Sequence, residues 1–333
     1  MQVNELRTIK APITVNYEVT PACNLYCAFC YKESGCTLVH PPLNQVFEIL
    51  NRLCEAEVFE LGLFGGEFFF YPHWREVMEY AFKKGFFLSF VSNGTCLDED
   101  AVALMKKCNI RRGAISIHGP RAIHDKVTRV EGTYEKAVRA LELCLDAGIY
   151  MTVLTTVTRD NLGLLHQTVE GLNSLGLVRD NLSYGVGRLC PYGRGEEEWK
   201  RDKISLKNYL AVFAEIQRIT EDYGIVAMLG DAFPLCRVPK KYHSLIQGCW
   251  MATGFGHITY DGAVKGCGVS QLVFGNLLKT PLQEIWQSQK MQEFRKLHWL
   301  PEQCGVCSMF CGGGCIASRI SSDGYAPDEF LDL

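Results

Sequence analysis

Three observations predict an α/β fold, a partial (βα)6 TIM-like barrel followed by a small cysteine-rich domain. Short apolar, β-branched runs alternate with helical segments; three cysteines crowd the loop after the first such run; and a second stretch near the C-terminal end is dense in cysteine and glycine. The alternation starts with "ITVNYEV" as a strand. The helical "LNQVFEILNRLCEA" then precedes the strand "VFELGLF", and "WREVMEYAFKKG" precedes "FFLSFVS". "DEDAVALMKKC" precedes "RGAISIH", "TYEKAVRALELCLDAG" precedes "YMTVLTTV", and "NLGLLHQTVEGLNSLG" precedes "LSYGVGR". Repeated βα units imply a parallel sheet with helical crossovers, and functional residues then belong at the C-terminal strand ends. The barrel is assigned to residues 1–200, and residues 201–247, built around "SLKNYLAVFAEIQRITEDYG", read as a linking helical segment. Residues 248–333 read as the second domain.

The 333 residues and their 47% hydrophobic content suffice for such a pair of units. A net charge of -3 provides no concentrated basic surface, which argues against nucleic acid as a partner. No apolar run is long enough to span a bilayer, and no secretory segment opens the chain, so a cytoplasmic protein without a membrane partner is expected. Sixteen cysteines in that setting point to metal binding or thiol chemistry rather than to disulfides.

In "TPACNLYCAFCYKESG", Cys23, Cys27 and Cys30 form CxxxCxxC. Zinc sites usually take their thiols as CxxC pairs and need a fourth ligand. Three thiolates on one short loop suit three irons of a [4Fe–4S] cluster, with the fourth iron left open.

This loop resembles the signature of the radical S-adenosylmethionine (SAM) superfamily, down to an aromatic, Phe29, just before the last cysteine. "LFGGEF" resembles that family's GGEP motif through Gly65, Gly66 and Glu67, with Phe68 in place of the proline. "VSNGT" resembles the end of its third strand, including Asn93, and "ISIHG" resembles its fourth-strand segment, with Ser116 near the SAM ribose or carboxylate. His118 stands where many relatives carry Asp. Arg129 is a candidate partner for the SAM carboxylate. The resemblance implies a SAM-binding [4Fe–4S] cluster that reductively cleaves SAM. The resulting 5′-deoxyadenosyl radical abstracts hydrogen from a substrate. It singles out no catalytic side chain.

"GCWMATGFGHITYDGAVKGCGVS", "FGNLLKTPLQEIWQS" and "CGVCSMFCGGGC" resemble a SPASM or twitch domain, which binds one or two auxiliary iron–sulfur clusters. By that resemblance Cys249, Cys267 and Cys315 serve one cluster, and Cys304, Cys307 and Cys311 another. Two departures leave each set one thiolate short: no cysteine follows soon after Cys249, and none follows Cys315. The tail carboxylates Asp323, Asp328 and Asp332, a cysteine such as Cys236, or an open iron are alternatives for the missing ligand. A single cluster and a zinc ribbon are the rival readings. Of the remaining cysteines, Cys54, Cys108 and Cys144 are expected to pack in helices. Cys190 and Cys236 lie nearer the domain junction, and Cys36 and Cys96 carry no assignment.

Relatives of this architecture modify ribosomally made peptides by crosslinking, oxidation or excision, and that is the expected activity. The alternatives are a small-molecule dehydrogenase or carbon–carbon bond former in cofactor or antibiotic biosynthesis, and, in another class, a non-catalytic metal-binding scaffold. A sulfatase-activating role is disfavoured, because Gly268 follows Cys267 where those enzymes carry Asp. The partners implied are an electron donor such as flavodoxin or ferredoxin and a peptide or small-molecule substrate, with a separate leader-binding protein as a further option.

Overall fold

In the computed structural model, residues 9–36, 38–201, 203–297, 300–309, 311–319, 321 and 327–331 are described. Seven strands follow one another in parallel: β1 (Thr14–Glu18), β2 (Glu60–Phe64), β3 (Phe87–Ser92), β4 (Arg112–Ser116), β5 (Tyr150–Thr156), β6 (Leu182–Gly187) and β7 (Val226–Leu229). The first six coincide with the strands read from sequence. The crossovers include α1 (Leu43–Glu55), α2 (Trp74–Lys83), α3 (Glu99–Lys107), α4 (Arg121–Thr128), α5 (Thr133–Asp146) and α6 (Leu165–Ser174). Val46, Ile49, Leu50 and Leu53 form the buried apolar stripe of α1. The helix α7 (Gly195–Arg201) follows β6.

Two features differ from the sequence reading. The segment 201–247 is more than a helical link. Its long helix α8 (Leu206–Tyr223) opens on a capping box formed by Ser205 and Asn208 and closes on Gly224 at a positive φ of 69°. It then delivers β7 as a seventh parallel strand. "IVAML" is too short an apolar run to be distinguished from a helix end by periodicity.

The cysteine-rich region also joins the main sheet. Strand β8 (Phe255–Ile258) pairs in parallel with β1, from Thr14↔Phe255 to Tyr17↔Ile258, and β9 (Ala263–Lys265) and β10 (Val273–Asn276) add antiparallel strands beyond it. The result is one ten-stranded sheet in the order β10-β9-β8-β1-β2-β3-β4-β5-β6-β7. "TPLQEIWQSQKMQEFRKL" forms two helices, α9 (Leu282–Trp286) and α10 (Gln289–Arg295). The second is started by Ser288, whose side chain accepts from Met291 N. A short α11 (Glu302–Gly305) carries Cys304. Among the described residues no helix is long and apolar enough to cross a membrane.

Candidate active site and cluster loops

All the parallel strands point their C-terminal ends to one side, and a cavity of about 260 Å³ opens there. Its wall includes Cys23, Cys27 and Cys30 from the loop after β1 and Gly65, Gly66 and Glu67 from the end of β2. Asn93 comes from the end of β3, and Ser116 is the last residue of β4. Eight of the nine residues expected to hold the first cluster and SAM therefore meet in one place.

Arg129 is not among the lining residues. It ends α4 at a positive φ of 61° and lies over the Tyr26 ring. Arg194 lines the cavity instead. Its Nε donates to Cys27 O at 2.8 Å and its Nη2 to Ser34 O at 2.7 Å, while the guanidinium sits 3.9 Å from the centre of the Tyr26 ring. Sequence reasoning passed over Arg194 because "CPYGRG" reads as a loop break. That loop folds over the cysteines: Arg194 N donates to Cys30 O at 3.0 Å.

Gly66 sits at a close backbone approach. A Cβ on Gly66 would lie 2.3 Å from Ala22 O, and Gly66 N donates to Thr20 O at 2.7 Å. The missing side chain lets β2 pack against the chain's own entry into the cysteine loop. Glu67 is buried, and its carboxylate accepts from Phe69 N, Ser92 Oγ and Asn93 N at 3.0, 3.0 and 2.7 Å. Burial pushes its carboxyl up to about 7 against those three hydrogen bonds. The adjacent aromatic run is packing: Phe69 meets Trp74 and Phe90 edge to face.

His118 lines the same cavity, its ring 4.5 Å from that of Phe29. Burial, then His124, holds its imidazole well below the usual range. Its Nδ1 accepts from Thr156 N at 3.2 Å, so the neutral ring carries its proton on Nε2. His124 Nδ1 likewise accepts from His118 N at 3.1 Å.

Beside the cavity, Lys32 pairs with the buried Glu18, and His257 Nε2 lies 3.5 Å from the same carboxylate oxygen. Burial alone would raise Glu18. Lys32, with help from His257, overcomes this and holds it at about 2. Burial, with Lys32, lowers His257 to about 4. Lys265 shares this field, so two lysines stand beside one carboxylate.

None of the sixteen cysteines forms a disulfide. Among the described residues no three His, Cys, Asp or Glu side chains close around a point as a single metal ion needs. Cys108 and Cys144 are buried as expected and Cys54 is half-buried; Cys36 is exposed. Asp328, one candidate for a missing ligand, is wholly committed elsewhere. Its carboxylate accepts from Arg188 at 2.5 and 3.2 Å and from Cys315 N at 2.7 Å, inside the protein. Asp323 and Asp332 lie outside the described residues.

A family model described as the radical SAM superfamily matches residues 17–170, and one described as an iron–sulfur cluster-binding domain, SPASM, matches residues 249–308. The chain belongs to the radical SAM superfamily. It is 27% identical to the AdoMet-dependent heme synthase of Methanosarcina barkeri, over 96% of this chain and 95% of that protein. It is 26% identical to the mycofactocin maturase MftC of Mycobacterium ulcerans, over 93% of this chain and 85% of that one. SuiB of Streptococcus suis, solved bound to S-adenosylmethionine, superimposes with a TM-score of 0.75 at 14% identity, over 99% of this chain and 80% of SuiB, and shares the fold.

This radical SAM enzyme therefore uses a [4Fe–4S] cluster and SAM, and its SPASM domain binds auxiliary iron–sulfur clusters. The cavity fits the first two groups. Three thiols supply the donors, and two buried atoms of its lining residues, Ser34 Oγ and His124 Nε2, have no hydrogen-bond partner among the described residues.

Proposed function

We propose that the chain abstracts hydrogen from a residue of a ribosomally made peptide presented at the cavity mouth. The observation that carries this reading is the chain's likeness to maturases: it aligns over 93% of its length with mycofactocin maturase MftC, and its cavity opens at the C-terminal strand ends. An extended peptide can offer one residue at such a mouth. When bound, the cluster and SAM supply a 5′-deoxyadenosyl radical.

The residues around it then have distinct tasks. Cys23, Cys27 and Cys30 hold iron. Gly65 and Gly66 seat the loop, and Glu67, with one carboxylate lone pair still unused, receives the SAM ammonium. Asn93, Ser116 and the proton on His118 Nε2 face its polar atoms, and Arg194 keeps the cysteine loop closed. Arg129, set beside Tyr26, serves the same loop. Cys249, Cys267, Cys304, Cys307, Cys311 and Cys315 hold the auxiliary iron. The auxiliary domain starts near 248. A flavodoxin or ferredoxin supplies the electron, and a separate leader-binding protein can deliver the peptide.

Lys32 and Lys265 favour a second reading, in which the substrate is a carboxylate-bearing small molecule such as a heme precursor. Mass spectrometry of candidate peptides and of a heme precursor after anaerobic turnover separates the two. A mass change in a peptide together with deoxyadenosine supports the first reading. A change confined to the small molecule overturns it.

A further inference from the structure

Cys190 and Cys236 lie outside the matched SPASM segment and outside the ligand triples assigned above, Cys236 being one of the alternatives for a missing ligand. Cys190 lies three residues beyond β6, and Cys236 sits in a single 3-10 turn, Leu235–Arg237. The folded chain carries both to the auxiliary cysteines. Arg188 Nη1 donates to Ala232 O at 3.1 Å and to Asp328 Oδ2 at 2.5 Å, and the same Asp328 oxygen accepts from Cys315 N. One buried guanidinium thus ties together the strand end that bears Cys190, the segment leading to Cys236, and the Cys315 loop.

The contact is close at Gly314, whose φ is +87°. A Cβ there would lie 2.7 Å from Pro234 Cδ and 2.6 Å from Asp328 Oδ2, so the "CGGGC" turn is pressed against the segment two residues before Cys236. On the other side, Tyr31 fits between the Cys190 loop and the Cys267 loop. Its carbonyl lies 2.8 Å from a Cβ built on Gly193, and its hydroxyl 3.2 Å from one built on Gly268.

The charge neighbourhoods of the thiols fall into two groups. Cys190 neighbours Cys267 and Cys315, and Cys249 neighbours the same two, which closes a ring of four. Cys236 neighbours Cys307 and Cys311, and Cys304 neighbours Cys236, Cys307 and Cys311. No thiol of one ring is among these neighbours in the other. Asp231 stands beside the first group as the competing oxygen ligand, but its Oδ2 already accepts from Arg188 N at 2.6 Å.

We propose that Cys190 and Cys236 complete the auxiliary centres, giving two four-thiolate sets: Cys190, Cys249, Cys267 and Cys315, and Cys236, Cys304, Cys307 and Cys311. Each set then matches the four cysteines that hold a closed [4Fe–4S] cluster. The auxiliary clusters number two, and neither leaves an iron open to substrate. The inference rests on the auxiliary-cluster assignment, and one experiment separates their failures.

The full chain is loaded anaerobically with iron and sulfide, treated with iodoacetamide without denaturation, and mapped by mass spectrometry. Cys236 is exposed, so protection there reports ligation rather than burial. The exposed Cys36 is the reference for an unligated thiol. Cys236 should be protected together with Cys304, Cys307 and Cys311, and should label at the rate of Cys36 once a chelator strips the iron. Cys190 is more sheltered and is read through iron. Cys190→Ser and Cys236→Ser should each lose up to about four of roughly twelve irons, or change the electron paramagnetic resonance signal of one reduced cluster. Labelling of Cys236 in loaded protein while Cys304 stays protected overturns the Cys236 assignment. Unchanged iron and spectrum in Cys190→Ser overturns the Cys190 assignment. If Cys249, Cys267 and Cys304 all label in the loaded chain, the auxiliary-cluster assignment itself falls.

Discussion

At the scale of single residues, Glu67 and Glu18 show how burial and partners set opposite behaviour in two carboxylates. Glu67→Ala removes the acceptor for Phe69 N, Ser92 Oγ and Asn93 N, so it should lower thermal stability as well as SAM affinity. The loss in affinity should be roughly tenfold to a hundredfold, from one charge-assisted bond worth on the order of 1.5–3 kcal/mol, with iron content unchanged. Equilibrium dialysis with labelled SAM, beside an iron assay, measures both. The pH dependence is opposite for the two groups. The carboxyl of Glu67 sits at about 7, above the ordinary 4.5. Its contribution to the stability of the metal-free chain is full below pH 4.5 and fades as pH rises through 7. Glu18 is held at about 2, so its contribution is present above pH 4.5 and is lost as pH falls through 2. Lys32→Met strips Glu18 of its main counter-charge and should cost about 3–5 kcal/mol in urea denaturation at pH 7. Adding Glu18→Gln to that variant should recover much of the loss, and no recovery would mean that Lys32 acts through packing. The three cysteines and Gly-Gly-Glu were legible because their spacing is itself the chemistry. Arg194, Lys32 and His257 were not, because their meaning lies in contacts across as many as 225 residues.

Elements were legible where periodicity was long. The six βα units appear in the structure with their strands in the order read from sequence. Strands β7 to β10 have three or four residues each, too few for alternation to stand out, and β8 takes its identity from pairing with β1. The cysteine-dense turn is legible only as composition, because its geometry depends on what presses against it. Gly314→Ala tests that geometry. The new methyl meets Pro234 and Asp328 at a residue with positive φ, so the variant should lose auxiliary iron while the barrel cluster persists. Cys304/Cys307/Cys311→Ala should go further, lowering iron and product while deoxyadenosine still forms, since the barrel loop has its own three thiols. Paired assays of iron and of product per deoxyadenosine decide this, and full product yield would reduce the region to a structural cap.

Across the whole molecule, the described part of the acidic tail is tied to the barrel by one buried arginine. Arg188, 1% exposed, donates to Asp328 and Glu329 and lies against the rings of Tyr209, Phe233 and Phe330. Arg188→Met leaves buried Asp328 without its cation and Glu329 with Lys203 alone, a loss on the order of 3–5 kcal/mol. Chemical denaturation of the metal-free chain should register this as an earlier midpoint. A chain that unfolds at the unchanged midpoint would place the tail outside the cooperative core.

The pairing of β1 with β8 carries a consequence for synthesis. The strand that launches the cysteine loop leaves the ribosome well before one of its two neighbours, which follows about 240 residues later. At roughly 5–20 residues per second, that is an interval of about 12–50 s in which the nascent chain has one flank of its central strand unpaired. Iron loading of the first cluster should then be largely post-translational. Stalled nascent chains ending before residue 255 should bind little of it.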